Sequence, residues 1–244
     1  MKEYGVFLGI NENEAYKLDP YKLVVIVPSE FTSSTITNLH DKVKTIYGYL
    51  NIGSLEVYRP YYERFKDLTL GVYEDWPDEY WIDVSASSWQ DFIINELAIS
   101  YLELGFDGFF IDNTDVYYEY NNEQIFNGLK YILLGLKNLN TTLIINGGDT
   151  FVSECLEDNI ATSLFNGVNQ ETVFTRIDFE NNTYHAQFES EANYFKEYLN
   201  NVKNADLSVY LLEYKAINSL SKTIDAYCKE NSFIWYNTPS LELT

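Results

Sequence analysis

Carboxylates and amides collect where strand-like runs break off. The clearest case is Gly105-Phe106-Asp107-Gly108-Phe109-Phe110-Ile111-Asp112-Asn113, an apolar run that stops at Asp112. Continuous apolarity marks a strand buried on both faces, and α/β folds place their chemistry at the carboxyl ends of such strands. Other runs end in the same manner: Asn51-Ile52-Gly53-Ser54-Leu55-Glu56, Ile144-Ile145-Asn146, Asn169-Gln170-Glu171, Leu211-Leu212-Glu213 and Trp235-Tyr236-Asn237. The tips hold no histidine, cysteine or lysine. That inventory suits glycosidic-bond cleavage, in which a protonated acid serves the leaving oxygen while an ionised carboxylate attacks or activates water. Asn113, Asn146 and Asn237 are fit to hydrogen-bond sugar hydroxyls.

Each residue also has a plainer reading. An Asp after a buried strand is commonly a helix N-cap, Glu171 alone reads as a solvated loop residue, and Glu56 has Arg59 within pairing reach. Asp115 and Asp149 read as cap or loop residues, and Asp107, ahead of its strand, as a structural residue at the opposite rim. The chemical reading rests on the groups coming together. Alternate strands of an α/β barrel feed the same interior layer, so Asp112 ending a fourth strand and Glu171 ending a sixth can face one another. A pair of Asp112 with Glu213, on a seventh strand, is an equally sensible geometry.

The elements that must position these groups are legible as alternation. Eight strand-like runs are expected at Tyr4–Ile10, Leu23–Val27, Thr45–Ile52, Phe109–Asp112, Thr142–Asn146, Ser163–Val168, Leu207–Leu212 and Phe233–Tyr236. Amphipathic helical segments are expected at Ser34–Lys44, Ser88–Leu104, Asn122–Asn138, Ser190–Asn204 and Asn218–Lys229, with Ser87-Ser88 as N-cap candidates and Gly105 as a helix-terminating glycine. Strands alternating with helices imply parallel pairing through right-handed crossovers. Eight units in 244 residues predict a single (β/α)8 barrel over residues 1–244, with no linker marking a second domain. The stretch from Tyr58 to Trp89, including Tyr73-Glu74-Asp75-Trp76-Pro77 and the strand candidate Tyr80–Val84, is expected to be a long loop after strand three.

Composition narrows the function. The formal charge is −21, with 37 acidic against 16 basic residues, so nucleic acid and anionic membranes would be repelled while a cationic ligand would be attracted. Two cysteines, Cys155 and Cys228, are too few for a disulfide scaffold, and His40 and His185 lack metal-ligand spacing. There is no glycine-rich phosphate loop and no Gly-x-Ser-x-Gly elbow. No apolar stretch reaches the roughly 20 residues that a membrane span needs. The 22 tyrosines and four tryptophans supply rings that can stack on sugars.

Four segments carry a family resemblance. Tyr49-Leu50-Asn51-Ile52-Gly53-Ser54-Leu55-Glu56 with Tyr58-Arg59-Pro60 resembles the third-strand signature of the endo-α-1,4-polygalactosaminidases, glycoside hydrolase family 114. Glu79-Tyr80-Trp81-Ile82-Asp83-Val84 is similar to that family's next motif, Gly105–Asp115 to its most specific one, and Val168–Phe174 to the segment carrying its second acidic residue. The resemblance implies a (β/α)8 barrel hydrolysing α-1,4-linked galactosamine polymers, with Asp112 and Glu171 as the catalytic carboxylates.

On that resemblance Glu171 is expected to be the general acid/base and Asp112 the nucleophile or water-activating base. Glu56, Arg59, Asp83, Asn113, Asn146 and Glu213 would position the sugar, and Tyr58, Trp76, Trp81, Tyr117 and Tyr236 would stack on it. The implied partner is a cationic or amino-sugar polysaccharide, handled by a monomer without cofactor or metal. Two alternatives stand beside this one: a non-catalytic carbohydrate-binding barrel, and a Mg²⁺- or Ca²⁺-dependent enzyme using the Asp cluster. Many relatives are secreted, which implies a secreted or cell-surface place. Met1-Lys2-Glu3-Tyr4 runs straight into strand-like sequence, which makes an intracellular place the alternative.

Overall fold

The computed structural model describes residues 1–74, 76–181 and 183–244; Asp75, within the loop segment read above, lies outside them. Eight parallel strands form one sheet in sequence order: β1 (Lys2–Phe7), β2 (Tyr21–Ile26), β3 (Thr45–Asn51), β4 (Gly108–Asp112), β5 (Thr142–Asn146), β6 (Gly167–Glu171), β7 (Ser208–Tyr214) and β8 (Ile234–Thr238). β8 returns to β1, where the rings of Tyr4 and Phe7 pack on Tyr236 at 6.5 and 5.5 Å between centroids. This is the expected (β/α)8 barrel, and its interior is filled by aliphatic and aromatic side chains such as Val6, Val25, Phe110, Tyr210 and Leu212.

Register lines up the strand tips. Asn51 stands beside Asp112, Asn146 beside Asn169, and Glu171 beside Leu212. Side chains two apart on a strand share a face. Asn169 and Glu171 accordingly face the same barrel interior at two depths, one below the other.

The expected sixth strand is displaced. Ala161–Leu164 is a helical turn, and the strand begins only at Gly167. Leu164 and Phe165 are apolar because they pack into the core from outside the sheet, whereas the strand itself ends on polar Asn169, Gln170 and Glu171. A helix at Asp149–Glu157, absent from the sequence reading, follows β5.

The region after β3 is more than a loop. Ser54–Glu56, Glu79–Ile82 and Thr69–Val72 form an antiparallel sheet with Glu79–Ile82 in the middle. Gly53 lets this excursion press against the end of β4, since a Cβ there would stand 1.7 Å from the Asn113 carbonyl oxygen. The helical segment Ser87–Leu104 closes the excursion, with a π-helical turn at Phe92–Leu97 and Gly105 ending it at φ 108°. Its N-cap is Ala86 and not a serine. Buried Trp89 ties the segment to the tip of β3, its indole N–H donating to Ile52 O at 2.9 Å.

Candidate active site

At the carboxyl ends of the strands lies a cleft of about 410 Å³. Asp112 ends β4 and Glu171 ends β6, and Asn146 at the tip of β5 stands between them. The Asn146 Nδ2 donates to Asp112 Oδ1 at 2.9 Å and to Glu171 Oε1 at 2.9 Å. Both protons of one amide are thus spent on two carboxylates. The two oxygens it serves lie within about 5.8 Å of each other, twice the 2.9 Å bond.

The orientation of that amide is fixed from below. Asn146 Oδ1 accepts from Asn169 Nδ2 at 2.7 Å, and Asn169 Oδ1 accepts from the Tyr4 hydroxyl at 3.0 Å. The relay therefore runs β1 to β6 to β5 and ends on the two carboxylates. Fully buried Asn169 has no water to substitute for either neighbour, so a flipped Asn146 would set like groups against each other.

Each carboxylate has a tyrosine of its own. Tyr49 donates to Asp112 Oδ2 at 2.8 Å, and Tyr214 donates to Glu171 Oε2. Burial pushes both carboxyls above their usual range, against the pull of these hydrogen bonds. Asp112 is held down by Asn146, Tyr49 and the Asn113 backbone, Glu171 by Tyr214 and Asn146 only. Asp112 also raises Glu171 by its charge.

Three further acids line the same cleft: Glu56, Glu79 and Asp115. Burial raises Glu79 and Asp115 to about 7. No lysine or arginine is among the described residues lining it. Tyr58, Tyr73 and Trp76 supply rings, and Phe179 and Ile177, from the hairpin after β6, close one wall.

The expected site residues divide. Asp112, Glu171, Asn146, Asn113, Glu56, Tyr58 and Trp76 all line the cleft. Arg59 stands just behind it, in a buried ion pair with Glu56 at 2.8 Å, and lines a neighbouring cavity of about 590 Å³. The others are elsewhere. Asp83 accepts from the Ser85 amide and hydroxyl in a turn, and Trp81 is buried against Tyr73 at 4.2 Å between centroids. Tyr117 is buried and bonded to Glu154, and Tyr236 packs low in the barrel beside Tyr4 and Phe7. Asn237 exchanges hydrogen bonds with the Ala216 backbone. Glu213 is fully buried and accepts from Phe174 N at 3.0 Å, Thr175 N at 2.9 Å and the Thr175 hydroxyl, pinning the turn after β6. It is absent from the cleft lining, and it is Glu171 that stands across from Asp112.

Among the described residues, no group of three or more His, Cys, Asp or Glu side chains is disposed to hold a metal ion. No helix among them is long and apolar enough to cross a membrane.

Residues 4–239 match the Glycoside-hydrolase family GH114. The chain belongs to glycoside hydrolase family 114. No curated protein matches it in sequence. Among solved structures, the glycoside hydrolase domain of PelA from Pseudomonas aeruginosa is 15% identical, with a TM-score of 0.81 and 98% of this chain covering 96% of that one. Aspergillus fumigatus Ega3, solved in complex with galactosamine, is 17% identical, with a TM-score of 0.72 and all of this chain covering 92% of that one. An α-galactosidase from Thermus thermophilus shares the fold at 10% identity and a TM-score of 0.61, this chain covering 58% of it. The protein is thus a glycosidase of family 114 on a (β/α)8 barrel.

Four cleft residues of this family 114 chain escape a reading based on strand tips. Glu79 and Tyr73 arrive from the excursion after β3, whose sheet the sequence reading took for a loop. Tyr49 and Tyr214 sit on strands and read as barrel filling; only the hydroxyl partners reveal them. The signal available for Glu79 was its place at the head of the Glu79–Val84 motif.

Proposed function

We propose that this enzyme is an endo-acting glycosidase for α-1,4-linked, galactosamine-containing polysaccharide, working with retention of configuration. The observation that carries the mechanism is Asn146, whose one amide nitrogen holds Asp112 and Glu171 together. Retaining glycosidases keep their carboxyl groups about 5–5.5 Å apart, whereas inverting ones leave about 6.5–9.5 Å for a water. Oxygens within about 5.8 Å of each other support retention.

The donor count divides the roles. Asp112, with three hydrogen bonds holding it down, is the better resting anion; Glu171, with two and an anion opposite, keeps the proton. In the first step Glu171 gives its proton to the glycosidic oxygen as the bond from that oxygen to C1 breaks. Asp112 attacks C1 and forms a glycosyl ester. In the second step Glu171 takes a proton from a water that attacks C1, and the ester bond breaks to restore Asp112.

The substrate reading draws on the family resemblance, on the galactosamine held by Ega3, and on a cleft with five acids and no base. Endo action is supported by the neighbouring cavity, which shares Leu8 and Tyr58 with the cleft and offers space for sugars beyond the cleaved bond. By the same resemblance the enzyme works outside the cell or at its surface.

The test is to follow the anomeric proton of the first product by NMR during digestion of galactosamine and N-acetylgalactosamine polymers. An α-anomer formed first supports the reading. A β-anomer overturns retention, and absence of cleavage overturns the substrate.

A further inference from the structure

The cleft has two walls, and each adjoins one carboxylate. Tyr58, Tyr73 and Trp76 stand on the excursion after β3, the strand that pairs with β4 and Asp112. Ile177 and Phe179 stand on an antiparallel hairpin, Thr175–Asp178 with Thr183–Ala186, which follows Glu171 at the end of β6. In the proposed reaction Glu171 gives its proton to the glycosidic oxygen. The sugar that departs with that oxygen must therefore lie against Glu171, and the wall on that side is the hairpin.

Several contacts anchor this hairpin. Glu213 holds its root through the Phe174 and Thr175 amides and the Thr175 hydroxyl. Gln187 closes the other end, its backbone N–H donating to Phe174 O at 2.8 Å and its side chain to Thr172 O at 3.0 Å. Ile177 stands opposite Tyr184, whose ring lies within 15° of the plane of Tyr214 at 6.3 Å between centroids. Tyr214 is the donor to Glu171, so the hairpin packs on the residue that serves the acid. Arg176 and His185, also opposite one another, belong to the other face, where Arg176 packs on Phe188 at 4.7 Å.

At the tip, the two oxygens of Asp178 accept from the Asn181 amide and side chain, both at 3.0 Å. This turn sets out Phe179, which lines the cleft yet is 51% exposed. An anchored ring half in water loses little freedom on being covered and gains from leaving water. A pyranose offers such a cover through its C–H bonds. In a galacto-configured residue the axial O4 leaves one face, while C3–H and C5–H crowd the other. A ring against the second face leaves O4 directed away from it, into the cleft.

We propose that the Thr175–Ala186 hairpin is the leaving-side subsite, with Phe179 as the ring on which the departing sugar lies. This rests on reading Glu171 as the acid of a sugar-cleaving site, and it names the residue that holds the sugar on the far side of the broken bond.

The test compares kcat/KM of the wild type, Phe179→Ala and Phe179→Tyr on galactosamine polymer and on α-galactosaminyl fluoride. The fluoride carries no leaving sugar, so it reports on the attacked sugar and on folding alone. Phe179→Ala is expected to lose about tenfold or more on the polymer and to stay within about twofold on the fluoride, while Phe179→Tyr keeps most of both. Wild-type activity of Phe179→Ala on the polymer, or an equal loss on both substrates, overturns the subsite. A loss by Phe179→Tyr as large as that of Phe179→Ala overturns stacking as its basis. A wild type that leaves the polymer intact refutes the proposed reaction and the subsite together, whereas cleavage untouched by Phe179→Ala refutes the subsite alone.

Discussion

Asp112 and Glu171 are held by the same nitrogen: Asn146 Nδ2 lies 2.9 Å from a carboxylate oxygen of each. The residues belong to strands on either side of β5, and neither pairs with a cationic side chain among the described residues. An amide can serve both because it carries two donors and no charge, so it fixes the spacing without settling which carboxyl keeps the proton. That choice falls to the Asn113 backbone, which holds down Asp112 alone, and to the charge of Asp112, which raises Glu171.

Removing either carboxylate is expected to abolish turnover while sparing binding. Asp112→Asn and Glu171→Gln keep shape and should each lower kcat by about 10³-fold or more, with substrate affinity within an order of magnitude. Steady-state kinetics together with substrate binding measured on the inactive variants check this. Unaltered hydrolysis by either would remove that residue from its role.

The two tyrosines should act on opposite limbs of the pH profile. Hydrogen bonds from Tyr49 and Tyr214 lower the pKa of Asp112 and Glu171 respectively, so losing either one raises its partner. Tyr49→Phe is expected to move the acidic limb of kcat/KM to higher pH, since Asp112 must be ionised. Tyr214→Phe is expected to move the basic limb to higher pH, since Glu171 must be protonated. If both changes shifted the same limb, the division of roles would be wrong.

Asn169 should matter to catalysis without touching substrate. Asn169→Ala frees the Asn146 amide to flip, and kcat is expected to fall about 10²-fold with little change in KM. The acidic limb should also move up, because Asp112 loses a donor. A rise in KM alone would mark the relay as ordinary barrel packing.

Stability should decline from mildly acidic to neutral pH. Burial raises Glu213 from 4.5 to about 7 in the fold. A carboxyl raised on folding stabilises the protein fully below its unfolded pKa, and that contribution is lost as pH rises through the folded value. Between about 4.5 and 7 the unfolded chain ionises first, so Tm is expected to fall across this window and then level off. Glu213→Gln should flatten the slope. It should also lower Tm overall, because its NH2 would face a backbone or hydroxyl donor at a cost of about 1–3 kcal/mol. Calorimetry from pH 4 to 8 on both proteins decides it, and equal slopes would show that Glu213 is not the titrating group.

Salt should weaken the enzyme for a cationic polymer. Of the five cleft acids only Glu56 has a cationic partner among the described residues, so KM is expected to rise severalfold as ionic strength goes from about 0.05 to 0.5 M. A neutral, fully acetylated polymer should show a much smaller rise. Equal effects on both would argue against charge recognition.

The barrel could be read from the chain because seven of its strands carry their own apolar signature, and Asp112 stands out where one such signature stops. β6 hides because its residues do the work of the site: Asn169, Gln170 and Glu171 replace the apolar alternation that would have announced a strand. Strand order leaves Glu171 and Glu213 level as partners for Asp112, and the resemblance is what prefers Glu171. Glu213 resembled a partner for Asp112 because position on a strand does not tell which way a side chain's donors lie; three of them, from Phe174 and Thr175, draw it into the wall. Trp81 and Tyr117 were expected to stack on sugar because aromatic residues near a rim look alike in sequence, whether they face the cleft or the core. Glu79 comes from a small antiparallel sheet whose pairing is nonlocal, with its partner more than twenty residues earlier.

The relay from Tyr4 through Asn169 to Asn146 makes the catalytic spacing depend on the ring being complete. Its first hydroxyl comes from β1, and its last two acceptors from β4 and β6. A half-formed sheet, or two fragments that associate with a gap at the seam, would bring Asp112 and Glu171 close without orienting the amide between them. Hydrolysis is therefore a more demanding gauge of assembly than compactness or helical content, and would lag behind both in refolding.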